Sequence, residues 1–84
     1  MTHELELYYR NFRDLFRNEG WKQLITDLKE NAVLINSVEV TKDLNDLYFR
    51  KGQLTIIANL LNLEAQIDIS EKQAEEEEEE VETN

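Results

Sequence analysis

Along HELELYYRNFRDLFRNEG the apolar side chains Leu5, Tyr8, Tyr9, Phe12, Leu15 and Phe16 recur at steps of three and four, which draws one stripe along a helix. This spacing predicts a helix over about residues 3 to 18. Gly20 interrupts it, and WKQLITDLKENAVLI resumes the period through Trp21, Leu24, Ile25, Leu28, Ala32 and Ile35. A second helix is therefore expected over about 20 to 36. A lone glycine costs a helix only about 1 kcal/mol against alanine, so Gly20 either breaks this arm or kinks it.

Asn36 and Ser37 suit a helix end, and Thr41 is a fair N-cap with Asp43 in the first turn that follows. The chain is expected to turn near Glu39. The third helix carries Leu44, Leu47, Tyr48, Leu54, Ile57, Ala58, Leu61 and Ala65, and positions 40, 44, 47, 51, 54, 58, 61 and 65 alternate steps of four and three, as in a coiled coil, broken by Lys51. Ile56, Leu60, Leu63 and Ile67 add apolar surface beyond that stripe. One neighbouring helix would not cover it all.

Symmetrical pairing about Glu39 sets Leu24 near Leu54, Trp21 near Ile57, Phe16 near Leu61 and Leu28 near Arg50. Two arms of about 33 residues, ~50 Å at the helical rise of 1.5 Å, then match in length. The expected fold is all-α, a long antiparallel helical hairpin with its first arm bent at Gly20. A compact three-helix bundle, with the first helix folded back at Gly20, is the alternative.

Composition narrows the chemistry. Eighty-four residues hold one small core, so association between chains would add stability that a lone chain lacks. There is no cysteine, and the one histidine is His3. No nucleophile–base pair, Glu-x-x-His pair or glycine elbow is present, and the carboxylates before the C-terminal run are single. Asp43 and Asp46 suit the start of a helix better than acid–base work. Neither enzymatic activity nor a cofactor or metal is expected. No window reaches the roughly 18 apolar residues of a membrane span, and MTHELELYYR lacks a signal-peptide pattern, so a soluble, cytoplasmic protein with no membrane partner is expected.

Charge is unevenly placed. Residues 1 to 73 hold nine Lys/Arg against twelve Asp/Glu, whereas residues 74 to 84 hold seven Glu and no base. Accordingly, residues 1–73 are read as a single helical domain and 74–84 as an acidic low-complexity tail. Glu75 to Glu80 form an unbroken run that has three readings: a disordered solubilising segment, a continuation of the third helix, or an element that docks on a basic partner or mimics nucleic acid.

Arg10, Arg13 and Arg17 fall on one ridge of the first helix beside Tyr9, Phe12 and Phe16, the juxtaposition a single-stranded nucleic-acid site uses. The hairpin sets this ridge near Glu64, Asp68 and Glu71, with Asp14 in the same helix. Solvated ion pairs are the preferred reading, and nucleic acid is not an expected partner. Gly52, inside RKGQL, is read together with Trp21 as a point of close helix packing.

The blocks GWKQLITDL (Gly20 to Leu28) and LYFRKGQLTIIANLLNLE (Leu47 to Glu64), after an aromatic N-terminal helix, resemble small, mostly uncharacterised proteins of tailed bacteriophages. The likeness covers about residues 5 to 65. It implies a phage product in the host cytoplasm, of the kind encoded near head and tail genes, and it carries no functional residues. The expected function is that of a non-enzymatic interaction protein, a small structural or assembly component of the phage particle. It would act as an oligomer or docked on a larger virion protein through Ile56, Ile57, Leu60, Leu63 and Ile67. The alternative is a regulator that inhibits a host protein, with the acidic tail imitating nucleic-acid phosphate.

Overall fold

The computed structural model describes residues 1–37 and 40–83, the side chains of 80–83 excepted. It contains α1 (His3–Arg17), α2 (Glu19–Ile35), α3 (Leu44–Leu61) and α4 (Leu63–Thr83), and every regular element among the described residues is a helix. α1 starts where a cap allows it, with the Thr2 hydroxyl accepting from the Leu5 N–H at 3.1 Å. Glu4 and Glu6 in its first turn and Arg17 in its last complement the helix dipole.

The first arm bends at Asn18, two residues before the expected Gly20. Asn18 is extended, at φ −71° and ψ 133°; its backbone N–H closes α1 on the Leu15 carbonyl. Its side chain opens α2 by accepting from the Gly20 N–H at 2.7 Å. Gly20 lies inside α2, yet it belongs to the joint, because a Cβ there would stand 2.9 Å from the Asn18 side-chain oxygen. Glycine lets the cap close.

The second arm has a joint that the periodicity did not reveal. Asn62 separates α3 from α4 but stays near helical geometry at φ −94° and ψ −4°. Hydrogen bonds run through it, from the Asn62 N–H to Ala58 and from the Gln66 N–H to the Asn62 carbonyl, both at 3.0 Å. The second arm is therefore deflected while the first is interrupted.

α1 packs on α4 and α2 on α3, while the backbones of α1 and α3, and of α2 and α4, do not approach closely. The chain is a two-armed hairpin, with no folding back of α1. Its extents are 59 × 29 × 16 Å, so it is an elongated, flattened ribbon. The radius of gyration is 18.0 Å, against about 12 Å for a compact chain of this length.

Such a ribbon hides little. Tyr9, Trp21, Ile57 and Ile67 are its buried apolar residues, each still 6–8 % exposed. Ring contacts bridge the first joint, since Tyr8, Phe12, Phe16 and Trp21 succeed one another with centroids 5.0, 5.8 and 5.4 Å apart. Each such pair adds about 0.5–1.5 kcal/mol beyond its area. The aromatic ladder thus braces α1 and α2 across the residue that separates them.

The expected turning point, Glu39, lies outside the described residues. Around it, Asp43 caps α3 in place of Thr41, accepting from the Asp46 N–H at 2.8 Å, while the Thr41 hydroxyl donates to the Ser37 carbonyl at 3.0 Å. Asp46 accepts from the Lys42 N–H at 3.0 Å and from Arg50 Nε at 3.1 Å, and Arg50 Nη1 donates to the Ile35 carbonyl at 3.0 Å. One guanidinium ties the last carbonyl-bearing turn of α2 to α3. This sets the register, and Arg13 meets Glu71 where symmetry about Glu39 would have placed Ala65. The start of α3 consequently projects past the end of α2.

Candidate interaction surface

The five residues expected to dock a partner divide between two roles. Ile57 and Ile67 are buried inside the hairpin at 8 % exposure, Leu60 and Leu63 are half-buried, and Ile56 is 64 % exposed. Ile57 and Ile67 are therefore core residues: Ile57 packs in the α2–α3 pair, and α4 beyond the Asn62 joint turns Ile67 toward α1. Of the set, Ile56 alone is fully presented to solvent.

The exposed apolar surface concentrates at the α2–α3 end. Val33, Leu34, Phe49 and Ile56 are all more than 60 % exposed, and Leu44 and Tyr48 are 61 % exposed. Leu34 lines a shallow groove with Phe49 and Gln53, and an adjoining one with Gln53 and Ile56, so these side chains share one broad face. Tyr48 and Leu47 line a groove with Thr41, Lys51 and Leu54. Leu44, Leu47 and Tyr48 stay exposed at the start of α3, where only the end of α2, at Ile35, borders the groove of Leu47 and Tyr48. Phe49 and Leu34 escaped the sequence reading because they lie off the stripes that define each helix. Their signal was that position: a large apolar side chain outside the stripe has no partner within a two-helix layer.

Gly52 does not mediate close packing within the chain. It is exposed, and a Cβ built there would meet nothing within 4 Å. Trp21, by contrast, is buried at 8 % and packs on Phe16.

Charge divides along the same line as apolarity. Residues 20 to 62 hold five Lys/Arg and five Asp/Glu, so the α2–α3 half has no net charge. The other half holds four Lys/Arg and fourteen Asp/Glu, which places the whole −10 of the chain outside residues 20 to 62, and almost all of it on α4. The run Glu75 to Glu80 is part of α4, which continues to Thr83. Among its three readings, helical continuation describes the backbone.

The arginine ridge lies beside this acid. Arg13 pairs with Glu71 and Arg17 with Asp14. Arg13, Phe16 and Arg17 line a groove whose other wall carries Glu64, Asp68 and Glu71. Arg10 shares a smaller hollow with Glu6, Glu71 and Glu75. The rings of the ladder pack on one another, and the acids facing the ridge oppose the approach of phosphate.

Among the described residues no group of three or more His, Asp or Glu is arranged to hold a metal ion, no buried side-chain polar atom lacks a partner, and no helix is long and apolar enough to cross a membrane. The Asp46 carboxyl is held below its ordinary value, first by the Lys42 N–H and then by Arg50. That cause is structural, a loop anchor facing no cavity of reactive groups. No family model matches the chain, and comparisons with curated proteins and with solved structures returned no match.

Proposed function

We propose that this chain is a non-enzymatic protein–protein interaction module whose docking surface is the uncharged α2–α3 end, centred on Leu34, Phe49 and Ile56. The observation that supports it is the exposure of these three at 69, 66 and 64 % on one face of a flattened ribbon. Contiguous apolar surface of this kind favours association. The resemblance of its two sequence blocks to tailed-phage proteins favours a small structural or assembly component of a phage particle. The partner is then another copy or a larger virion protein.

A photoreactive phenylalanine analogue at Phe49, in cells that make the protein natively, tests this reading. Cross-links to a polypeptide should form from position 49 and not from exposed Lys22. Equal capture from both positions, or from neither, defeats it.

A second reading draws on the helical acid of α4. A column of exposed glutamates could occupy a basic surface of a host protein in place of nucleic acid. Binding to such a host protein should then be lost on deletion of residues 75–84 and should fall steeply with salt. Binding that tolerates both removes this alternative.

A further inference from the structure

We propose that the partner of the α2–α3 end is a second copy of this chain, with the two α3 helices antiparallel and crossing at Gly52. The inference rests on the interaction reading above and specifies its occupant and geometry.

α3 carries a second heptad seam besides the one it turns to α2. Asn45, Phe49, Gly52, Ile56 and Asn59 follow at steps of four, three, four and three, all five are exposed, and half-buried Leu63 extends the row by one more step of four. A row of this period on a solvent-facing flank is what a partner helix reads. Leu34 of α2 borders it, through the grooves it shares with Phe49 and Ile56.

The seam is symmetric about its middle. Gly52 stands seven residues from Asn45 and seven from Asn59, with Phe49 and Ile56 three and four residues away. In an antiparallel pair with a two-fold axis at Gly52, Asn45 of each copy lies beside Asn59 of the other, and Phe49 packs near Ile56. Polar amides meet amides and apolar meets apolar, as an isologous contact requires. Buried or half-buried Asn pairs within an apolar seam also fix register. At the crossing itself the open space over Gly52, with nothing within 4 Å of a would-be Cβ, lets the second backbone come close.

A parallel pair would also match Gly52 with Gly52, and charge decides between the two. Parallel pairing sets two acidic halves, each with a net −10, side by side. Antiparallel pairing carries them to opposite ends. Glu75 is 23 residues from Gly52, about 35 Å of helix, so the two acidic runs come to lie roughly 70 Å apart. That is several times the screening length of about 8–10 Å in physiological salt. The centre of the pair is the half without net charge.

The chain has no cysteine, so single cysteines report the geometry without background. Asn45→Cys and Asn59→Cys proteins, each checked for helicity, are mixed and mildly oxidised at high concentration. The 45–59 heterodisulfide should dominate over 45–45 and 59–59 products. In parallel, Gly52→Ala should raise the dimer dissociation constant of the cysteine-free protein roughly tenfold in sedimentation equilibrium, while the isolated monomer gains thermal stability. Homodisulfides in excess would mean a parallel pair and overturn the proposal, as would a dimer unaffected by Gly52→Ala. A wild-type chain that stays monomeric and forms no disulfide also overturns it. The interaction reading survives that last result if Phe49 still cross-links a different polypeptide in cells, and fails with it if Phe49 captures nothing.

Discussion

The side-chain oxygen of Asn18 accepts the Gly20 N–H at 2.7 Å and would stand 2.9 Å from a Cβ on the same residue. The two positions are thus coupled. Gly20→Ala gains about 1 kcal/mol of helix propensity and displaces a cap of about the same size, so its net effect on stability is expected near zero. Asn18→Ala alone should cost about 1 kcal/mol. In the Asn18→Ala background the conflict is gone, and Gly20→Ala should then stabilise by about 1 kcal/mol. Urea unfolding of the four proteins measures the cycle, and simple additivity of the two substitutions would refute the coupling.

Asp46 gives the fold a defined acid response. Its folded-state pKa lies below its ordinary value because the charged form accepts from the Lys42 N–H and from Arg50. A depressed carboxyl stabilises the folded state above its unfolded pKa, and that contribution disappears as pH falls through the folded value. Asp46→Asn should therefore lower the melting temperature at pH 7, and the gap to wild type should close below about pH 4. A gap that stays constant from pH 7 to pH 2 would show that the charge is not what ties the loop.

Burial separates Trp21 from Leu34 by a wide margin, 8 % exposed against 69 %. Trp21→Ala removes a core ring and its contact with Phe16, a loss of about 3–5 kcal/mol, which rivals the whole stability of a small domain. Far-UV circular dichroism should show a largely unfolded chain. Leu34→Ala at a concentration too low for association should shift stability by no more than about 0.5 kcal/mol. Comparable losses from both would contradict the one-layer packing.

The acid of α4 should make its helix salt-dependent. Glu75 with Glu79 and Glu76 with Glu80 are like charges at i, i+4, each pair unfavourable by about 0.2–0.5 kcal/mol, and they crowd the negative end of the helix dipole. Raising salt from 20 mM to 500 mM shortens the screening length severalfold and should increase helicity. Truncation after Ala74 should abolish the increase. Salt-insensitive helicity in the full chain would place the glutamates outside any such repulsion.

Helix limits were legible because they are local: the stripes through Leu5 to Phe16 and Trp21 to Ile35 predict α1 and α2 to within a residue of His3–Arg17 and Glu19–Ile35. The acids facing Arg13 and Arg17 were legible too, since any antiparallel hairpin brings that stretch of α4 to the ridge. What escaped depends on contacts far apart in sequence. The register follows from Arg50 reaching the Ile35 carbonyl, which no periodicity contains. The Asn62 joint keeps its hydrogen bonds, so it leaves no break in the pattern. Ile67 read as surplus because a single straight helix cannot show that its second half turns a stripe toward α1, and Ile57 because its burial depends on the register with α2. Gly52 read as a packing glycine, and the structure shows that no neighbour within the chain uses the space it leaves.

The Arg50 anchor has a consequence for how the hairpin comes together. Closing a loop is the costly step in forming a helical pair, and here the loop is short and held by Asp46 and Arg50 from α3. Once it is shut, each further turn of α2 and α1 finds its opposite turn already beside it. The ribbon should zip from Arg50 toward its open end and unzip in reverse, so amide protection against hydrogen exchange is graded along its length. Met1 and the glutamates close last and open first.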